Sequence, residues 1–366
     1  MSAFYCPVHI ISGKDCVRRN AKIFADFGST ALIVTGKSSE KNGSLLDVEC
    51  VLKLNKQKFK VFNEVPANPG IDCVRRGAEM AKQCDADFVV AIGGGSPMDA
   101  AKAIALLARQ DLPDSELFSG RYASDVLPMI HIPTTAGTGS EVTQYAILTD
   151  DVRESKTSMA SPYIFPQYTF LDGKYMRTLG HATTINTAVD ALSHAVEGML
   201  SVKAGEISDL LAAKSAGIIC KMFGKLSSGE LTLDDRDKLL YAATLAGMVI
   251  ANTGTTAVHA MGYSLTYYKH IDHGRANGLL LGALMQYCEG KMPQRAKAVL
   301  RACGFKNAEE FSKALGSLLG ESEKLTDDEC AKYAKKAMAA SNIANCAYSP
   351  EEGDLFAMLK KSLGTN

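Results

Sequence analysis

Two rhythms of apolar and polar positions divide this chain. In the first, short runs of consecutive apolar residues recur: TALIVT at 30–35, KFKVFNEV at 58–65, DFVVAI at 87–92 and LPMIHIP at 127–133. Each is strand-length and gives way to a stretch with helical spacing, the alternation of a parallel sheet covered by helices. The rhythm predicts an α/β unit over residues 1–180. From 181 to 366 the strand runs vanish, and three-to-four spacing dominates SDLLAAKSAGIICKMF, DKLLYAATLAGMVIA, NGLLLGALMQYCEG and AEEFSKALGSLLG. That pattern predicts an all-helical unit. TDDE at 326–329 and SPEE at 349–352 have the form of capping boxes, the second with Pro350 at the first helical position. A ligand site is expected in the cleft between the two units.

Composition narrows what such a molecule does. The 366 residues are 46% hydrophobic, enough for a large core, and the length suits two domains. Lys+Arg and Asp+Glu both total 40, so net charge favours neither nucleic acid nor an anionic membrane, and a small-molecule partner is expected. The ten cysteines are scattered without a C-x-x-C pair, as reduced packing thiols would be in a cytoplasm. The opening MSAFYCPVHIISGKD has neither the basic start nor the apolar core of a secretory leader, and no apolar run is long enough to span a bilayer. A cytoplasmic enzyme fits these features.

Two loops carry candidate phosphate chemistry. FVVAIGGGSPMDAAKAIA (88–105) runs from strand through three glycines into a helix. Glycine lets the backbone approach an anion closely, and a helix start offers free N–H groups. The same residues would also make a tight turn capped by Ser96 and Asp99. HIPTTAGTGSEVT (131–143) also follows a strand and gathers Thr134, Thr135, Thr138 and Ser140, which suits phosphate and ribose oxygens or a hydroxyl-rich turn. Two such loops together favour a dinucleotide.

A second chemistry sits in the helical half. TAVDALSHAVEG (187–198) places Asp190 and His194 four apart on one face of an apolar helix. His259 and His273 follow in HAMGYSLTYYKHIDHGRANG, and one carboxylate with three imidazoles matches the donor set of Fe2+, with Zn2+, Mn2+ or Co2+ as alternatives. Singly, each histidine is equally readable as a satisfied polar residue of a core. His9, His131, His181 and His270 show no such partnering.

GGGSPMDAAKAIA, HIPTTAGTGSEVT, TAVDALSHAVEG and HAMGYSLTYYKHIDHGRANG, in that order, resemble the successive signatures of the iron-containing (group III) alcohol dehydrogenases, including propanediol and butanol dehydrogenase members. The resemblance implies a dinucleotide-binding α/β domain with a parallel sheet over 1–180 and an all-helical metal-binding domain over 181–366, a dehydroquinate synthase-like architecture. It implies Asp190, His194, His259 and His273 as metal ligands. By the same motif matching Gly94, Gly95, Ser96, Thr135, Thr138 and Leu148 line the cofactor site, with Asn68 of ANPG and Lys156 of RESK nearby. It further implies a homodimer and hydride transfer between a nicotinamide cofactor and a short-chain primary alcohol or diol and its aldehyde. Glycerol dehydrogenases and dehydroquinate-synthase-like cyclases share the architecture with other ligand sets, usually of three residues.

This sequence departs from the family pattern in two places. Many members carry an aspartate directly after the first strand, whereas here VTGKSSEKNG puts Gly36 there, followed by Lys37, Ser38 and Ser39. A carboxylate at that point repels a 2′-phosphate, while a cation and hydroxyls accept one, which predicts NADP(H) over NAD(H). Many members also place a histidine four residues after the first ligand of the helical pair, and here that residue is Tyr263. Tyr263 is then expected to shape the pocket, with water or His270 relaying the proton.

Overall fold

A computed structural model describes residues 3–365, and the chain divides into two compact units. Cys6–Leu179 form the first; the second runs from Gly180 and includes residues 3–5. Asn252 ties this short leader to the helical unit, since its Oδ1 accepts from the Tyr5 N–H at 2.7 Å and its Nδ2 donates to the Tyr5 carbonyl at 3.1 Å.

The first unit is built on a six-stranded sheet of β1 (His9–Ser12), β2 (Thr30–Thr35), β3 (Lys58–Phe62), β4 (Phe88–Gly93), β5 (Met129–Pro133) and β8 (Tyr168–Leu171), ordered β1-β8-β5-β4-β2-β3 and parallel throughout. β6 (Tyr145–Asp150) and β7 (Ser155–Ala160) make a separate antiparallel ribbon. α1 (Ser44–Leu54), α2 (Ile71–Gln83) and α3 (Gly95–Leu107) follow β2, β3 and β4. Alternate residues of each central strand face opposite cores: Leu32, Val34, Val89 and Ala91 meet Val74 and Ala78 of α2 and Ile104 of α3, while Ala31, Ile33, Val90 and Ile92 meet Val48 and Leu52 of α1. β4 and β5 are buried along their whole length, whereas edge strands β1 and β3 are largely exposed or half-exposed.

This order has a functional consequence. After β2 the chain steps outward to β3, then returns to place β4 on the other side of β2 and β5 beyond it. The chain reverses direction across the sheet between β2 and β4, the point where open α/β sheets bind ligands outside the strands' carboxyl ends. The loops opening at Gly36, Gly94 and Thr134 all leave that end of three neighbouring strands.

The second unit contains nine longer helices among the described residues: α4 (His181–Met199), α5 (Glu206–Lys221), α6 (Leu233–Thr253), α7 (Ala257–Lys269), α8 (His273–Lys291), α9 (Pro293–Cys303), α10 (Ala308–Leu319), α11 (Asp327–Met338) and α12 (Glu352–Leu363). α11 begins with the expected box: the Thr326 hydroxyl accepts from the Glu329 N–H at 3.2 Å, and Glu329 accepts from the Thr326 N–H at 2.9 Å. The SPEE expectation is corrected. α12 starts two residues later, and its box pairs Glu351 with Asp354, whose carboxylate accepts from the Glu351 N–H at 2.9 Å, so Pro350 lies outside the helix. None of the described helices is long and apolar enough to cross a membrane, and all ten cysteines are free thiols.

Candidate functional site

In the α/β unit, α3 starts from Gly94 without a side-chain cap, which leaves its first N–H groups without an acceptor from that residue. The glycines are sterically demanded. A Cβ on Gly95 would lie 2.6 Å from Thr138 Cγ2, and one on Gly94 would lie 3.0 Å from Thr135 Oγ1. The two hydroxyl-bearing side chains therefore close directly over the glycine backbone, leaving Gly94, Gly95, Ser96, Thr135 and Thr138 half-exposed together. Asn68 joins them from the loop after β3, in the left-handed backbone region at φ 57°. Its N–H donates to Ser96 Oγ at 3.1 Å, its carbonyl accepts from Thr149 Oγ1 at 3.0 Å, and its Oδ1 accepts from Lys156 Nζ. Residues separated by up to 88 positions thus form one polar rim.

Three of the residues singled out around these loops have buried side chains. Asp99 does not cap α3 or face outward; it is buried, accepting from Ser140 Oγ at 2.6 Å and the Ile147 N–H at 3.1 Å. Ser39 is likewise buried, donating to the Gly36 carbonyl at 3.1 Å, and leaves Lys37 and Ser38 as the exposed side chains of that turn. The Leu148 side chain is wholly buried in the core. Lys102 was not anticipated. It is completely buried one turn after Asp99 and donates to the Ser140 carbonyl at 2.7 Å, Ser140 Oγ at 2.8 Å, Thr143 Oγ1 at 3.1 Å and the Tyr145 carbonyl at 2.7 Å. Burial pushes its ammonium down to about 8, against the opposing pull of Asp99 and Glu141. It ties the glycine-loop helix to the second loop; a lysine three after an aspartate in an otherwise apolar helix was its only signal.

In the helical unit, Asp190 and His194 lie on α4, His259 on the first turn of α7 and His273 at the start of α8, where the Asp272 side chain caps the Gly274 N–H at 3.1 Å. Asp190 Oδ1 is 3.9 Å from Nε2 of each of the three histidines. Gly274 makes this approach possible: a Cβ there would lie 2.0 Å from the Asn186 carbonyl oxygen of α4. The His194 and His259 rings stack at 4.8 Å, and Tyr263 stacks on His273 at 5.8 Å with planes 13° apart. Asp190, His194 and His259 are buried, while the His273 side chain is 24% exposed. His270 lies apart in character: it is exposed at the end of α7, where its backbone turns left-handed at φ 54°.

The donor set suits a cation. Asn277 Nδ2 is 2.9 Å from Asp190 Oδ1, 3.1 Å from His259 Nε2 and 3.2 Å from His273 Nε2, so an amide with two hydrogens faces three acceptors converging on one point. Donor atoms each about 2.1 Å from one ion can stand up to about 4.2 Å apart, which admits the 3.9 Å separations. Burial raises the Asp190 carboxyl, but the neighbouring imidazoles of His194, His273 and His259 and the Asn277 hydrogen bond outweigh it and hold it below the ordinary aspartate value. Glu197, one further turn along α4, was not singled out from the sequence; its carboxylate is wholly buried and meets His259 Nδ1. Its signal was the spacing Asp190, His194, Glu197 along one helix face.

A parallel α/β sheet in one unit, and in the other a helical cluster of one aspartate and three histidines, define a class: two-unit proteins that pair an α/β domain with a helical domain able to hold a metal ion. Residues 7–173 match the family described as iron-containing alcohol dehydrogenase, and residues 184–363 match its C-terminal domain. The chain belongs to the iron-containing alcohol dehydrogenase family. An iron-containing alcohol dehydrogenase from Thermotoga maritima is 38% identical, with each chain covered over 99% and a TM-score of 0.92. Alcohol dehydrogenase 4 of Schizosaccharomyces pombe is 34% identical over 78% of this chain and 68% of its own. Sulfoacetaldehyde reductase of Bifidobacterium kashiwanohense, solved with NAD+, is 26% identical with a TM-score of 0.89 and complete coverage of both chains. The chain is an oxidoreductase, of a family characterised by iron and nicotinamide nucleotide.

Proposed function

We propose that this protein is an Fe2+-dependent, NADP(H)-preferring dehydrogenase of short-chain primary alcohols or diols that also reduces their aldehydes. The observation that carries the reading is the single carboxylate oxygen, Asp190 Oδ1, 3.9 Å from three imidazole Nε2 atoms. When bound, a divalent ion supplies Lewis acidity toward the substrate oxygen, and the reduced nicotinamide supplies the hydride. Asp190, His194, His259 and His273 hold the ion, the carboxylate offsetting its charge. Gly94 and Gly95 bring the start of α3 to the pyrophosphate, and Thr135, Thr138, Ser96 and the Asn68–Lys156 pair hold the nucleotide around it. Gly36, Lys37 and Ser38 receive the 2′-phosphate, with Lys37 as the cation. Tyr263 bounds the substrate against His273, and the exposed His270 passes the alcohol proton to water. A homodimer in the cytoplasm completes the reading, with β1 as one of the two exposed edges through which the sheet could pair.

The test is metal analysis of anaerobically prepared protein, followed by a panel of short aldehydes with NADPH and NADH. The expected result is bound iron and a higher kcat/KM with NADPH. A higher kcat/KM with NADH overturns the nucleotide preference, and unchanged NADPH with every aldehyde in the iron-loaded protein overturns the activity.

A further inference from the structure

Glu197 does two things at once. Its Oε1 accepts from the Thr256 N–H at 3.0 Å, Thr256 Oγ1 at 2.7 Å, the Val258 N–H at 2.9 Å and the His259 N–H at 3.4 Å. Those backbone donors are the opening of α7, whose own N-cap residue supplies no side-chain acceptor, so a carboxylate of α4 caps a different helix. Its Oε2 meets His259 Nδ1. The side chain has 0% exposure, so water competes at neither oxygen.

The second contact has a consequence for His259. A carboxylate only accepts, so the proton of the neutral imidazole sits on Nδ1 and the lone pair sits on Nε2. Asn277 agrees from the other side, since its amide nitrogen only donates and lies 3.1 Å from that same Nε2. Nε2 is the atom 3.9 Å from Asp190 Oδ1. We propose that Glu197 is the positioning residue of the metal centre: it fixes the tautomer and ring orientation of His259, and through the cap it fixes the helix start that carries this ligand. The inference rests on the reading of His259 as a metal ligand.

Glu197→Gln separates the two roles. With four donors gathered at Oε1, the amide oxygen must take that place and keep the cap. The amide NH2 then faces Nδ1 and donates to it, which moves the ring proton to Nε2 and removes the lone pair an ion needs. The test measures Zn2+ affinity by competition with a chromophoric chelator, in E197Q, H259A and the double variant, with the metal-free melting temperature of each. The expected result is a loss of about 10- to 100-fold in E197Q, a melting temperature within a few degrees of wild type, and no further loss when E197Q is added to H259A. Equal losses from E197Q with and without His259, or wild-type affinity in E197Q, overturn the proposal. Unchanged affinity in H259A instead overturns the ligand reading beneath it. Nitrogen NMR of selectively 15N-histidine-labelled wild-type protein loaded with Zn2+ tests the same point without a variant: a protonated Nδ1 on His259 is expected, and a protonated Nε2 overturns the proposal.

Discussion

The glycine-loop region and the imidazole cluster meet the same demand, holding a charged group in place, by opposite means. The first uses backbone. Its α3 start has no side-chain cap, its glycines are pressed by Thr135 and Thr138, and a buried charge network, Asp99–Ser140–Lys102, holds the loops rather than facing a ligand. The second uses side chains. Three helices each bring imidazoles or a carboxylate to one point, which Asn277 Nδ2 faces, and Glu197 holds His259 from behind, at Nδ1. Chain path alone can present N–H groups to a spread-out pyrophosphate. An ion needs lone pairs aimed at a point within tenths of an ångström, and only side chains locked by partners provide that.

If the two regions are separately built, damage to one should spare the other. His273→Ala is the largest expected effect: metal retention and turnover fall below detection while NADPH binding, followed by nucleotide fluorescence, stays within about 3-fold of wild type, less than 1 kcal/mol by the tenfold-per-1.4 rule. Turnover in metal-free H273A protein would break the scheme. Gly95→Val is the mirror case. Its Cβ alone would lie 2.6 Å from Thr138 Cγ2, so NADPH affinity should drop at least about 10-fold, roughly 1.4 kcal/mol, with iron content unchanged.

Lys102→Met is the smallest of the three effects on the chemistry and sharpens the contrast within the α/β unit. It strands the buried Asp99 and the Ser140 and Tyr145 carbonyls, at a cost of about 3 kcal/mol, seen as a lowered melting temperature. The sign of its pH dependence follows from the lysine's lowered value of about 8 in the folded chain. Below pH 8 both folded and unfolded wild type hold the proton, and the cost of burying the ammonium is present in full. As pH rises from 8 to the ordinary lysine value of 10.5 the folded state sheds its proton first, so wild-type stability gains relative to K102M. A gap that narrows over that interval would contradict the burial of a charged Lys102.

The residues of TALIVT, DFVVAI and LPMIHIP were legible as strands because central parallel strands are apolar on both faces, and the structure buries β4 and β5 entirely. β1, β8 and the β6–β7 ribbon were not anticipated: β1 is a four-residue exposed edge, β8 is buried but only four residues long, and β7 shows one buried position in six. The family motifs carried the candidate ligands, whereas Asp99, read as a turn cap, Ser39, read from the departure after the first strand, and Leu148, read from a motif, are buried in the fold.

What the chain's order of residues determined by itself is local: which segments are apolar every second or every fourth position, where glycine permits a turn, and that Asp190 and His194 share a helix face. Only the tertiary structure decided what lies across from each of these. That His259 presents Nε2 follows from Glu197 reaching it across 62 positions, and that Gly274 must be glycine follows from the α4 backbone passing 2.0 Å from where its Cβ would be. Periodicity is a property of one helix and can be read along the chain. A tautomer, a buried cap and a close approach are properties of two elements in contact, and they exist only once both are packed.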